Sequence, residues 1–216
     1  HKFNEDEVYL KVLDYLNQGF DVSIITDRGT PSISDPGYVS VFKVIKSGFN
    51  VVCLPGATAF TPAIVNSGLN PNKFLFYGFL NSKGSKQKKE LEKLKNYPDT
   101  LIFYEAPHRI VKTLESMLEV FGDRNISVHR EISKMYEEII RGKISDLIKK
   151  CDNIKGEIVL VVEGNKEKVD YSNLSIVEHV NLYIDDGMDV KEAIKLVSKE
   201  REIAKSIVYK EYHVDK

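Results

Sequence analysis

Short apolar runs alternate with stretches of helical periodicity through the first three quarters of the chain, and this alternation constrains the fold more than any other feature. Val22 to Thr26 reads as a buried strand. The turn-rich segment Asp27 to Gly37 follows, then a helix in which Tyr38, Val41, Phe42 and Ile45 recur at helical spacing as far as Gly48. A second strand is expected at Val51 to Leu54, leading through Pro55-Gly56-Ala57-Thr58 into a short helix that ends near Gly68. Strand, loop, helix and strand in that order favour a parallel sheet with right-handed crossovers, because a twisted strand feeding a right-handed helix packs back onto the sheet in that sense. Ahead of this unit, residues 4 to 18 place Val8, Val12, Tyr15 and Leu16 on one helical face, with Asn4 as N-cap, Glu7 completing a capping box and Gly19 as the stop.

A second set of elements begins with the strand Phe74 to Leu80 and a Lys-rich loop and helix around Gly84 to Lys95. Strands at Leu101 to Tyr104, Ile126 to His129 and Ile158 to Val162 follow, with a helix from about His108 to Val120 between the first two. From about Lys166 the pattern changes to helical stretches near 173 to 185, 190 to 200 and 203 to 211. The expected organisation is α/β: an N-terminal lobe over 1–69, a C-terminal lobe over 70–165 and a small helical appendage over 166–216.

Bulk properties exclude more than they assign. With 31 Lys plus Arg against 32 Asp plus Glu, net charge carries no nucleic-acid signature, and attraction to phosphate must come from a local patch. Cys53 and Cys151 suggest neither a disulfide framework nor a zinc site, and a reducing, cytoplasmic compartment fits. The longest apolar runs fall far short of the roughly 20 residues that cross a bilayer. The start at His1, without a methionine or a signal-like segment, leads us to expect that upstream residues are missing.

Three loops sit where strands end and helices begin: Asp27-Arg28-Gly29-Thr30-Pro31, Pro55-Gly56-Ala57-Thr58 and Glu105-Ala106-Pro107-His108. Ligands of open parallel sheets bind outside the carboxyl ends of strands, where backbone N–H groups and helix N-termini collect. Gly29 and Gly56 would let the backbone approach a ligand, and Asp27 and Glu105 could accept hydrogen bonds from an amino or ribose group. The alternative for each loop is that Gly, Pro and Asp simply make the turn. Neither the three-glycine dinucleotide pattern nor a Walker-type loop is present.

Taken together the segments resemble the ribosomal small subunit methyltransferase I family, a branch of the tetrapyrrole methylase superfamily. The resembling residues run from Thr26 to Gly37, Leu54 to Ala59, Tyr77 to Leu80 and Phe103 to Arg109. They continue through Arg130 to Lys134, Glu137-Glu138 with Arg141-Gly142, and Gly156 to Gly164, in order along nearly the whole chain. The resemblance implies a two-lobed enzyme, commonly a homodimer, that holds S-adenosylmethionine between its lobes and methylates a cytidine ribose 2′-oxygen in small-subunit ribosomal RNA, free or in the assembled subunit. It places Asp27, Gly29, Thr30 and Ser34 on one wall of the cofactor site, Pro55, Gly56 and Ala57 on a second, and Glu105, Ala106 and Gly156 on the other lobe. It also implies a first strand and loop that are not found before His1. Arg28 stands where the family usually has a small Ala and is expected to point into solvent.

A ribose hydroxyl is a weak nucleophile until its proton is removed, so a general base would help; Glu105, His108 and Glu138 are the candidates, and the sequence does not choose among them. Lys83, Lys86, Lys88 and Lys89 offer positive charge for RNA, the alternative being a solvated helix face. Arg109, Arg130, Lys134 and Arg141 are further RNA candidates, since the resemblance sets them near the cleft and Arg clamps phosphate bidentately. The tail around Lys191 to Tyr212 resembles a helix-turn-helix module that could grip RNA, although residues 166–216 as a whole hold eleven Asp plus Glu against nine Lys plus Arg; a packing role is the alternative. No metal requirement is visible. Two other functions compete: methylation of a tetrapyrrole, and a non-catalytic ribosome-binding module.

Overall fold

The computed structural model describes residues 5–166, 171 and 173–214, the side chains of 5–7 and 214 excepted. It divides into two compact units, His1–Asn165 and Lys166–Lys216. The capping box expected from Asn4 and Glu7 lies outside the described side chains, but helix α1 (Glu5–Asn17) stands where the periodicity placed it. It packs on α2 (Tyr38–Lys46), with the Tyr9 hydroxyl 2.8 Å from Ser47 Oγ and Lys43 Nζ over the Tyr9 ring. The third helix, α3 (Phe60–Ser67), closes on Gly68 in the left-handed region.

The ordered sheet lies beyond these helices. Strands β1 (Phe74–Phe79), β2 (Thr100–Glu105), β3 (Asn125–Arg130), β4 (Glu138–Lys143) and β5 (Ile158–Val162) form a mixed sheet in the order β1-β2-β5-β3-β4. Only β1 and β2 run parallel; the other three pairings are antiparallel. One face is covered by α4 (Gly84–Leu94), α5 (Ile110–Phe121) and α6 (Ile144–Lys150), whose Leu91, Leu114, Met117 and Leu147 bury Leu101, Phe103, Val128 and Leu160. The opposite face packs Ile102, Val159 and Val161 under Ala63 and Ile64 of α3. Strand β5 is buried at every residue, which explains why Ile158 to Val162 is an unbroken apolar run.

The expected first-lobe strands are absent among the described residues. Segments 20–26 and 49–58 carry no ladder, and Ile25, Val52 and Leu54 are 88%, 80% and 77% exposed. A strand exists through its inter-strand hydrogen bonds, and the apolar composition that nominated these runs cannot replace a neighbour. The parallel sheet expected from the strand–helix order is therefore not formed there. The apolar stripe expected on α2 differs too: Tyr38, Phe42 and Ile45 are exposed, and Ser40 and Val44 are buried instead.

The second unit holds α7 (Ile176–Asp185), α8 (Val190–Glu200) and α9 (Lys205–Val214) around Val180, Ala193, Ile194, Val197, Val208 and Tyr212. Ser175 and Glu178 form a reciprocal capping box on α7, and Asp189 caps α8. His179 is buried against the Tyr171 ring and accepts from Arg201 Nε through Nδ1 at 3.1 Å, which leaves Nε2 to carry its proton toward Glu200. No helix among the described residues is long and apolar enough to cross a membrane.

Candidate active site

A cavity of about 700 Å³ opens in the larger unit, bounded on one side by the loop Thr26 to Asp35 with Thr58 and Ala59. Its other side is formed by the ends of β1, β2 and β5, through Phe79, Tyr104, Glu105, Ile158 and Val159, with Ile132 and Glu157. Backbone turns shape the first wall. Ser32 and Ser34 adopt φ of 69° and 59°, Thr26 Oγ1 donates to the Gly29 carbonyl at 3.1 Å, and Thr30 Oγ1 donates to the Ala57 carbonyl at 3.1 Å. The second of these bonds ties the two N-terminal loops together without a strand.

Of the ten residues expected to hold a cofactor, Asp27, Gly29, Thr30, Ser34 and Glu105 line the cavity. Pro55, Gly56 and Ala57 stand behind it, Ala57 with its carbonyl turned to Thr30, and Ala106 and Gly156 flank the lining residues Glu105 and Glu157. At Gly156 φ is 93°, and a Cβ would overlap the Glu131 side chain, so glycine is required for the Glu131 carboxylate to lie there. From that place Glu131 accepts the Glu157 backbone N–H at 2.8 Å and Lys134 Nζ at 2.9 Å.

The candidate bases are distributed unequally. Glu105 ends β2 and borders the cavity as a residue, but its carboxylate is fully buried and turns to Thr113 of α5 on the helix-covered face of the sheet. There it accepts from the Ala106 N–H at 2.6 Å, from Thr113 Oγ1 at 2.7 Å and from Arg109 Nε, while Gln87 donates to Thr113 at 3.0 Å. A carboxylate so engaged is held immobile, a structural anchor turned away from the cavity. His108 borders a separate cavity of about 590 Å³ with Lys112 and Lys155, and Glu138 on β4 pairs with Arg130 at 3.0 Å; neither lines the larger cavity.

Most of the cationic candidates are engaged within the chain. Arg109 binds Glu105, Arg141 donates to the Asn66 carbonyl, Lys134 bridges Glu131 and Glu157, and Lys88 pairs with Glu119 at 2.5 Å. Lys83, Lys86 and Lys89 are exposed at or on α4 and do not line the cavity. Arg28, expected to point into solvent, pairs with Glu157, and both line the cavity. The sequence could not reveal this, because Glu157 is remote along the chain and a surface Arg has no periodic signature.

Sequence reasoning also missed Asp35, Phe79 and Tyr104 as lining residues. Burial raises the Tyr104 pKa and nearby Asp35 adds to the rise, while the backbone N–H groups of Phe60 and Ala59, at the start of α3, donate to its hydroxyl and oppose it. The hydroxyl thus stays protonated in neutral solution. The signal for Tyr104 was its even spacing from Ile102 on a strand with two buried faces, a pattern that marks orientation only once the register is known.

An α/β unit with its cavity between two loop sets defines a class. The Tetrapyrrole (Corrin/Porphyrin) Methylases match residues 1–148. Among solved structures, a cobalt precorrin-4 methyltransferase covers 73% of this chain and 70% of its own at TM-score 0.56 and 15% identity. Uroporphyrin-III C-methyl transferase from Thermus thermophilus, complexed with S-adenyl homocysteine, covers 73% and 72% at 0.52 and 15%. At such identities these likenesses concern the fold. Closer in sequence is Ribosomal RNA small subunit methyltransferase I of Bacillus subtilis (strain 168), 46% identical over 99% of this chain and 76% of the relative. The protein of that name from Halalkalibacterium halodurans is 41% identical with the same coverage. The chain belongs to the ribosomal RNA small subunit methyltransferase I family of the tetrapyrrole methylases.

Proposed function

We propose that this chain transfers the methyl group of S-adenosylmethionine to the ribose 2′-oxygen of a cytidine in small-subunit ribosomal RNA. The observation that carries the reading is the near full-length similarity to proteins named for methylating that RNA, which includes the loops around the cavity. We further propose the lobes 1–69 and 70–165 as the two jaws of the site, a homodimer as the working form, and the cytoplasm as its place. Free RNA and the assembled subunit remain the two substrates to compare.

The cavity suits the cofactor. Its volume is in the range of pockets that enclose a small molecule, and Asp27 offers a carboxylate to a ribose hydroxyl or an amino group of the cofactor. Bound there, S-adenosylmethionine supplies an electrophilic methyl on a sulfonium: a carbon–oxygen bond forms as the carbon–sulfur bond breaks, and the sulfur leaves neutral. The protein's task is to align the acceptor oxygen and to take its proton. Because the Glu105 carboxylate is occupied on the far face of the sheet, and His108 and Glu138 lie outside the cavity, Asp35 is our candidate proton acceptor.

The test is calorimetric titration of S-adenosylmethionine into the chain, followed by methyl transfer to undermethylated small subunits and, separately, to their free RNA. Ribose methylation makes the adjacent phosphodiester resist alkali, since the 2′-oxygen can no longer attack it. Saturable binding with alkali-resistant product supports the reading. An alkali-labile product moves the methyl to a base, transfer to a tetrapyrrole in place of RNA changes the substrate class, and absent binding leaves a ribosome-binding module.

A further inference from the structure

The cavity contains one aromatic ring whose placement the strand pattern does not account for. Along β1, Phe76 faces α3, stacking on Phe60 at 4.8 Å and meeting Tyr104 edge-on, while Tyr77 faces the other side against Phe103. Regular alternation would put Phe79 on the Tyr77 side, among the covering helices. It is not there. The β1–β2 register shifts between Phe76 and Gly78, so that Gly78 stands opposite Phe103 and Phe79 opposite Tyr104. Phe79 thereby joins Tyr104 and its ladder partner Val159 along the cavity wall. A bulge of this kind re-aims a side chain and is enriched beside active sites.

Gly78 permits the bulge. Its φ is 80°, which glycine adopts without strain, and a Cβ there would lie 2.9 Å from Ser34 Oγ on the opposite loop and oblige that hydroxyl to turn.

The ring is also braced from behind. The Tyr104 ring meets it at 65° with centroids 5.6 Å apart, and the Arg109 guanidinium lies 6.0 Å from its centre. Arg109 is itself held by the buried Glu105, which is held by Thr113 and through it Gln87. This chain gives the Glu105 network a purpose that proton transfer does not: it fixes a cation against an aromatic ring. Even so, Phe79 remains 51% exposed, with its open surface in the cavity. A large apolar ring aimed into a wet cavity by a bulge, at a cost in burial, needs a flat partner.

Building on the reading of the chain as an RNA methyltransferase, we propose that Phe79 is the platform on which the base of the acceptor nucleotide stacks once it is splayed out of its RNA. Recognition of single-stranded RNA relies on unstacked bases packed on aromatic rings, and a base fixed on Phe79 holds its ribose at the cavity. Phe79 is then a positioning residue, and Arg109 and Glu105 support it at one remove.

The experiment compares Phe79→Ala, Phe79→Leu and Phe79→Trp with the unaltered chain. It reads the dissociation constant of S-adenosylhomocysteine, kcat/KM for undermethylated small subunits, and Tm. Since β1 is an edge strand and Phe79 its exposed last residue, Tm should stay close to that of the parent. Stacking of one base predicts a loss of roughly 5- to 100-fold in kcat/KM for Ala and Leu, recovery of most of it by Trp, and cofactor affinity within about twofold. Full activity of Phe79→Ala overturns the proposal, as does recovery by Leu, which would make the ring mere filling. A loss confined to cofactor affinity also overturns it, by assigning the ring to the adenine. If the unaltered chain itself neither binds cofactor nor methylates RNA, the functional reading fails and the platform with it. Normal activity in the parent with indifferent Phe79 variants removes the platform alone.

Discussion

Segments 5–69 and 70–165 have similar apolar content on paper and opposite fates in space. The second buries Leu101, Phe103, Leu114, Met117 and Leu160 completely between sheet and helices; the first leaves Ile25, Val52 and Leu54 largely in solvent on loops without a ladder. Burial needs a partner surface, and only the second segment supplies both faces of a sheet. The cavity forms where the two meet, combining strand ends from one with loops from the other. Such a division suits a site that must hold fixed geometry yet admit a large substrate.

The contrast can be broken most directly at its core. Phe103→Ala should lower unfolding free energy by about 4 kcal/mol, read from denaturant midpoints, because it removes a buried ring and leaves a cavity. A loss under about 1 kcal/mol would mean that the sheet is as loosely held as the loops.

Acid should act on the ordered half next. His129 on β3 is buried, with Nε2 2.7 Å from Ser127 Oγ; burial first, and Arg141 second, push its pKa down from 6.5 to about 4, against the opposing charge of Glu137. Between those values the unfolded chain binds a proton that the folded chain refuses. This contribution is therefore complete above about pH 6.5 and declines as pH falls to about 4, by roughly 3 kcal/mol in all. Stability curves of His129→Gln should lack that part of the slope.

The two cysteines report on one half each. Burial pushes the Cys151 thiol up to about 11 from 9.0, which lowers its thiolate fraction near neutrality about 100-fold, whereas Cys53 is exposed. A thiol reagent should label Cys53 promptly and Cys151 only on unfolding; equal rates would erase the distinction. The smallest effect is expected from Val52→Ser, within about 0.5 kcal/mol by the same denaturant measurement, since little contact is lost at an exposed loop position. A large loss there would reveal burial of the 49–58 segment in solution.

Much of this was legible in the residues. The helices 4–18, 38–48 and 84–95 and the strands around Leu101, Ile126 and Ile158 follow from periodicity and from turn residues, and of the three loop motifs the first, Asp27 to Thr30, lines the cavity while the others reach it only through Thr58 and Glu105. Two kinds of inference did not carry. Apolar runs at Val22 and Val51 satisfied a strand's composition, but a strand is a relation to a neighbour, and composition holds no information on whether one is present. Site residues were named through motifs, and motifs do not record which face of a sheet a side chain takes. Glu105 and Tyr104 are adjacent in the chain, yet one is locked under the helices and the other borders the cavity.

By itself, then, the sequence determined the helices, the strands at Leu101, Ile126 and Ile158, and the family, because these rest on local backbone preference and on residue identity in order along the chain. Only the tertiary structure decided the mixed strand order, the pairing of Arg28 with Glu157 and the turn of Phe79 into the cavity. Each of these depends on registers and contacts between residues far apart in sequence. A shift of one residue at Gly78 reverses which side of the sheet a ring occupies while leaving every local propensity unchanged.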